Sequence, residues 1–217
     1  GGAAPAGAIS LDTIDVQGAG NPNSTMSLPP AYAGGQVARG GQLGMLGNRD
    51  MMDTPFHQTN YTRKLIQDQQ ARNLGDVLSN DPSVVKVFDS GGGFPRDQWS
   101  VRGVGANAQN VAFGGLFGIA QTRMGTMAME TIERVEVLKG ASALLNGLPP
   151  AQLANLGTVN LVPKRAGDEP LIAFTPDYAM NSQAGGHLDV GQRFGDNKEF
   201  GIRFNGVYRS GDTPILN

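Results

Sequence analysis

The stretch from Ile132 to Gly147 reads IERVEVLKGASALLNG. Its first half, Ile132 to Lys139, has the β-branched residues of a strand. It also carries four charges, on Glu133, Arg134, Glu136 and Lys139. At Gly140 the pattern breaks, and the residues up to Asn146 suit a short helix. A strand that is apolar and charged on both faces is neither the dry centre of a parallel sheet nor a half-wet antiparallel strand. What surroundings it needs decides the fold.

Working outward, residues 41–165 read as a compact α/β unit. Phe56 to Tyr61 is strand-like. Thr62 can cap a helix through Leu65 and Ile66 to Gln70, and Asn73 can cap another turn carrying Leu74, Val77 and Leu78. Asp81-Pro82 stops that turn. Val84 to Phe88, Trp99 to Arg102 and Asn110 to Phe113 are further strands among glycine-rich loops, and Thr158 to Val162 closes the unit. The irregular mixing of strands and helices argues against a doubly wound sheet.

Residues 166–217 alternate. Leu188, Val190 and Phe194 fall on one face, with His187, Asp189 and Arg193 on the other. After a turn at 195–199, Phe200, Ile202, Phe204 and Tyr208 share a face opposite Arg203, Asn205 and Arg209. Leu171 to Tyr178 is a looser version. Such strands fit a membrane barrel with lipid outside and water inside. They also fit a soluble antiparallel sheet with one wet face. Aromatics near the strand ends (Tyr178, Phe194, Phe200, Tyr208) lean towards the barrel, where girdles mark the interface.

Residues 1–40 are rich in Gly, Ala, Pro, Asn and Ser and read as a flexible tether. Within it, Leu11 to Gln17 alternates and can add as a strand to a partner's open sheet edge. The opening GGAAPAGAIS fits what remains after a small-residue cleavage site, and the chain reads as a fragment or a mature chain cut short.

Composition narrows the function. Net charge is −2, which points to no nucleic acid. Cysteine is absent and histidine numbers two, so no disulfide framework, thiolate metal site or histidine-rich centre is expected. No run approaches the roughly 18 apolar residues of a membrane helix. Glycine numbers 32, roughly twice the usual share, as suits strands joined by tight turns. No phosphate loop, zinc-protease motif or nucleophile elbow occurs, so an enzyme reading has no support.

Five blocks together resemble the N-terminal part of a TonB-dependent outer-membrane receptor of the ferric-siderophore class. They are MLGNRDMMDTPF at 45–56, LIQDQQARNLGDVLSNDPSV at 65–84, Arg102-Gly103 before a small-residue loop, the 132–147 stretch, and GTVNLVPKR at 157–165. The resemblance implies three parts. Residues 1–40 would be a tether with a TonB box, 41–165 an α+β plug domain (a small mixed sheet with short helices), and 166–217 the first antiparallel strands of an incomplete transmembrane β-barrel. A plug strand faces a polar lumen, which answers the question posed by Ile132 to Lys139. Glu133, Arg134, Glu136 and Lys139 would pair with plug strands or the wall, around a core of Val135, Val137 and Leu138.

Further implications concern sites. DTIDVQG at 12–18 resembles the box that contacts a TonB-type energy transducer, so Asp12, Thr13, Ile14, Asp15 and Val16 are its candidates; Asp15 departs from the usual apolar residue or threonine. Arg102 and Lys139 stand where the family locks plug to barrel, and both are expected to meet wall carboxylates. Outward-facing apex loops would hold the ferric siderophore with Phe94, Arg96, Phe117, Gln121 and Arg123. The iron travels inside its chelator, so no cofactor or protein metal ligand is expected. LPPAQLANL at 148–156 departs from the family's short turn. Two alternatives stay open: a plug-like binding module without transport, and a receptor for a cobalamin or carbohydrate.

Overall fold

A computed structural model describes residues 28–88, 98–106, 110–117, 127–140, 142–147, 157–179 and 183–211. The central element is the charged strand itself, β10 (Ile132–Lys139). It pairs antiparallel on one side with β4 (His57–Thr62) and on the other with β11 (Gly157–Pro163). Outside β4 lies the two-residue β1 (Val37–Ala38). Outside β11, in parallel, lies β8 (Val111–Phe113), continued by β9 (Leu116–Phe117). This gives a mixed six-stranded sheet in the order β1-β4-β10-β11-β8-β9.

The two faces of that sheet differ. Side chains alternate along a strand, so Val135 and Val137 point to one side with their cross-strand neighbours Tyr61, Leu161 and Val159. Two short helices cover this side. In α1 (Arg63–Asp68), Leu65 and Ile66 are buried; in α2 (Leu74–Leu78), Leu74, Val77 and Leu78 are. Asn73 starts α2 with a capping box, its side chain accepting from Asp76 N at 2.9 Å. Thr62 precedes α1 but gives no side-chain cap; its hydroxyl donates to Gly35 O at 2.5 Å. A sheet of β5 (Val84–Phe88), β6 (Gln98–Val101) and β7 (Val104–Ala106) adds Val84, Trp99 and Val101 to the core.

The opposite face of β10 carries Arg134, Glu136 and Leu138. Leu138 is buried but lies here with Glu136, beside a small polar cavity, and not in the Val135–Val137 core. The hairpin of β2 (Gly40–Gln42) and β3 (Asn48–Asp50) covers this face. Residues 28–40, expected as the end of the tether, therefore belong partly to the sheet unit. Val37 pairs with Tyr61, and Arg134 Nη2 donates to Pro29 O at 2.8 Å.

After β11 the chain enters an antiparallel ribbon of three longer strands, β12 (Leu171–Ala179), β13 (Gln183–Phe194) and β14 (Phe200–Ser210). Its polarity is inverted relative to a soluble sheet. Ile172, Phe174, Phe200, Ile202, Phe204 and Tyr208 are 57–81% exposed, while His187 and Asp189 are 8% and 4% exposed against the sheet unit. A half-wet soluble sheet would bury the first set, so this distribution decides for the lipid-facing barrel strand.

Candidate functional site: the plug and the contacts that hold it

The ribbon meets the sheet unit through ion pairs. Asp189 of β13 accepts Lys164 Nζ at 3.0 Å and a two-pronged contact from Arg203 of β14 at 2.5 and 2.7 Å. All three side chains are nearly dry: 2% exposed for Lys164, 6% for Asp189 and 9% for Arg203. Arg209 of β14 joins Asp177 of β12 at 2.9 Å and Glu130, just before β10, at 2.5 Å. Arg72, between the two helices, reaches Asp177 at 3.6 Å and also donates to Gln183. Inward-facing carboxylates and guanidinium groups of the ribbon thus match polar groups of the sheet unit. Forked Arg–carboxylate geometry gives such contacts direction as well as charge. Beside these pairs lies a cavity of about 330 Å³ whose lining includes Gln67 and Glu130 from the unit and Thr175 and His187 from the ribbon.

The two expected lock residues converge on one turn. Lys139 ends β10 and forms a salt bridge to Asp81 at 2.7 Å, with side chains 4% and 0% exposed. Its partner is therefore within the plug unit, which corrects the expectation of a wall carboxylate. The reason is register: Lys139 lies on the Val135–Val137 side, where the α2–β5 turn passes. Burial alone would raise the Asp81 carboxyl, but bonds from Lys139 and Ser83 outweigh it and hold the group below its ordinary value. Arg102 donates its backbone N–H to Ser83 O at 2.7 Å, in the same turn. Its side chain is exposed, forms no ion pair among the described residues, and its backbone sits at φ 51°.

The remaining charges of β10 are also placed. Glu133 faces Arg63 at 3.8 Å. Arg134 donates to Gly40 O at 3.0 Å as well as to Pro29 O. Glu136 Oε2 accepts from Asn160 Nδ2 at 2.8 Å and from Gln42 N at 3.1 Å. Burial pushes the Glu136 carboxyl above its ordinary value, against those bonds and the charge of Arg134.

Of the apex candidates, Phe117 lies in β9, half-buried, lining the polar cavity beside Glu136. Phe94, Arg96, Gln121 and Arg123 lie outside the described residues, as do Asp12, Thr13, Ile14, Asp15 and Val16. Asp81, Glu130, Asp177 and Asp189 were not singled out from the sequence as partners. For Asp189 the alternation with Leu188 and Val190 is a signal; for Asp81 the sequence shows only the Asp-Pro stop after the helix.

Comparison with known proteins agrees with this geometry. The family model described as TonB-dependent Receptor Plug Domain matches residues 50–150. The chain is 44% identical to the ferrichrome receptor FcuA of Yersinia enterocolitica over 94% of its own length. It is 48% identical to the crystal structure of BauA, the ferric preacinetobactin receptor of Acinetobacter baumannii, with a TM-score of 0.77 over 85% of this chain. The ferric-catecholate import receptor Fiu of E. coli K12 superposes with a TM-score of 0.62 at 26% identity, over 84% of this chain and 24% of that one. The chain spans 27% of the length of both FcuA and BauA. Matching blocks, plug topology and outward-apolar strands agree: the chain carries the plug domain of the TonB-dependent outer-membrane receptors and belongs with that family.

Proposed function

We propose that this chain supplies the plug, the energy-coupling segment and the first wall strands of a transporter that imports a ferric siderophore. The observation that carries this reading is the seating of the plug against a lipid-facing ribbon through buried ion pairs. A plug held by directional polar contacts, and not by a greasy interface, can shift without exposing apolar surface. Ligand at the apex loops would bias the plug. Asp12 to Val16 would then add as a strand to an inner-membrane transducer, which pulls the plug open. The work is binding and gating, with no chemical step. The names of FcuA, BauA and Fiu support an iron chelate as substrate, with iron carried as cargo inside the chelator.

Uptake of radiolabelled iron tests the reading. Cells lacking the receptor gene are complemented with it and given ferrichrome, ferric preacinetobactin or a ferric catecholate, with and without a functional transducer. Transducer-dependent uptake of at least one chelate is expected. Binding without uptake would make the protein a binding module, and cobalamin or oligosaccharide uptake alone would move it to another substrate class.

A further inference from the structure

Two polar atoms in the plug are buried without a partner at the same place: Glu136 Oε1 and Asn60 Oδ1. Glu136 and Asn60 are direct cross-strand neighbours on β10 and β4, and Asn160 faces Glu136 from β11. Both orphaned oxygens converge on Gly41 of β2. A Cβ built there would lie 2.7 Å from Asn60 Oδ1 and 2.8 Å from Glu136 Oε1. Two buried, unpartnered acceptors that converge on one point are costly unless something donates to them.

Backbone and hydroxyl groups orient the neighbouring amides. On one side, Gln58 Nε2 points to the carbonyl of Arg49 at 3.5 Å and to Thr54 Oγ1 at 3.4 Å, which suits the amide nitrogen there. Gln58 Oε1 then accepts from Asn60 Nδ2 at 3.0 Å. Asn60 is left presenting its oxygen to Glu136. On the other side, Gly115 N donates to Asn160 Oδ1 at 2.9 Å, so Asn160 turns its amide nitrogen to Glu136 Oε2, where Gln42 N also donates. No amide can be reversed to supply the missing donor without placing like groups together at a backbone end.

We propose that Glu136 is a buried proton-binding site: the neutral acid donates its Oε1 hydroxyl to Asn60 Oδ1, and this bond helps seat the β2–β3 hairpin on the central strand. The charged group beside Glu136 among the described residues is Arg134 on β10 itself; β4 presents Gln58 and Asn60, β11 presents Thr158 and Asn160, and β2 presents Gln42, all uncharged. Arg134 is occupied by Gly40 O and Pro29 O. Burial of Glu136, 4% exposed, favours the neutral form in the same sense. The competing arrangement is an ionised Glu136 with one water donating to both oxygens, for which the cavity of about 20 Å³ has room.

The sign follows from linkage. A carboxyl whose value is raised in the folded state binds more protons there than when the hairpin is open. Closure is therefore tightest in acid. It weakens as pH rises from the ordinary carboxyl value of 4.5 to the raised folded value, and then levels. The hairpin and residues 28–38 lead back to the N-terminal box, so the hold on that segment would answer to the proton activity around the plug.

Hydrogen exchange of the β2 and β3 amides in the full receptor, corrected at each pH for chemical exchange, tests this without any transport substrate, and so independently of the transport reading. In the native protein, protection should fall about tenfold per pH unit across that window. Glu136→Gln places an amide N–H where the hydroxyl stood; it should keep the acid-side protection and abolish the pH dependence. Glu136→Ala should lose protection at every pH. A flat native profile would overturn the proposal in favour of the bridging water. A tenfold or greater acid-side loss in Glu136→Gln, or its failure to assemble, would also overturn it.

Discussion

Lys164, just past the last plug strand, and Asp189, in the middle of the second wall strand, form a 3.0 Å salt bridge with both side chains nearly sealed from water. Because Arg203 shares the same carboxylate, one negative charge holds two buried cations. Asp189→Asn should leave those cations facing each other. Removing one member of a buried pair costs about 3–5 kcal/mol. Hydrogen exchange of residues 157–164 in the full receptor, read across a urea series, should show the plug strand opening at lower denaturant. Unchanged protection would mean that the contact contributes nothing to seating the plug.

The Lys139–Asp81 pair gives a pH prediction. Asp81 is held below its ordinary carboxyl value of 3.8 in the folded state. Its contribution is therefore present above that value and lost as pH falls through the lowered one. Asp81→Asn should weaken the plug at neutral pH by about 3–5 kcal/mol, because Lys139 stays buried without its counter-charge. It should also flatten the acid limb of the stability profile. Combining Asp81→Leu with Lys139→Met should restore most of the loss. Acid titration of plug protection checks all three, and a single variant as stable as the native protein would contradict the pairing.

Arg102 behaves oppositely. Its head is exposed, so Arg102→Ala should change plug stability by no more than about 0.5 kcal/mol. Arg102→Gly should stabilise it by about 1 kcal/mol, by relieving a left-handed backbone carrying a side chain. If the guanidinium docks on the barrel wall, both variants should admit large antibiotics more readily. Permeability equal to the native receptor's would limit Arg102 to the turn it shares with Ser83.

Energy coupling can be tested at the other end of the chain. Ile14→Pro removes a backbone donor and blocks strand addition. It should abolish uptake while leaving chelate binding at the cell surface intact. Uptake at the native rate would exclude Asp12 to Val16 as the coupling segment.

How far the sequence revealed this arrangement differs by element. The strands at 84–88, 132–139 and 157–163 follow from runs rich in β-branched residues, and the Asn73 cap from its place before Leu74, Val77 and Leu78. The outward apolar face of β13 and β14 follows from strict alternation. The partners of Lys139 and Glu136 do not, because they lie across loops of tens of residues and depend on register. Ile132 to Lys139 shows the limit well. Its charges announce a strand without a fully dry side around a core of Val135, Val137 and Leu138, and the pairing keeps the two valines in that core but turns Leu138 to the polar face. Arg134 and Glu136 are buried under the hairpin from Gly40 to Asp50. Residues 28–40 follow the same rule: their composition is that of a linker, and their order comes from Tyr61 and Arg134.

The strand order β1-β4-β10-β11 also has a consequence for biogenesis. β4 is made early and pairs with β1, but its inner partner β10 comes only after a long loop, so closure of the sheet waits. An apolar strand left waiting would invite aggregation. β4 reads HQTNYT, and water can serve its polar side chains until Glu136 arrives. The same polar row that occupies the middle of the finished plug lowers that risk for the waiting strand.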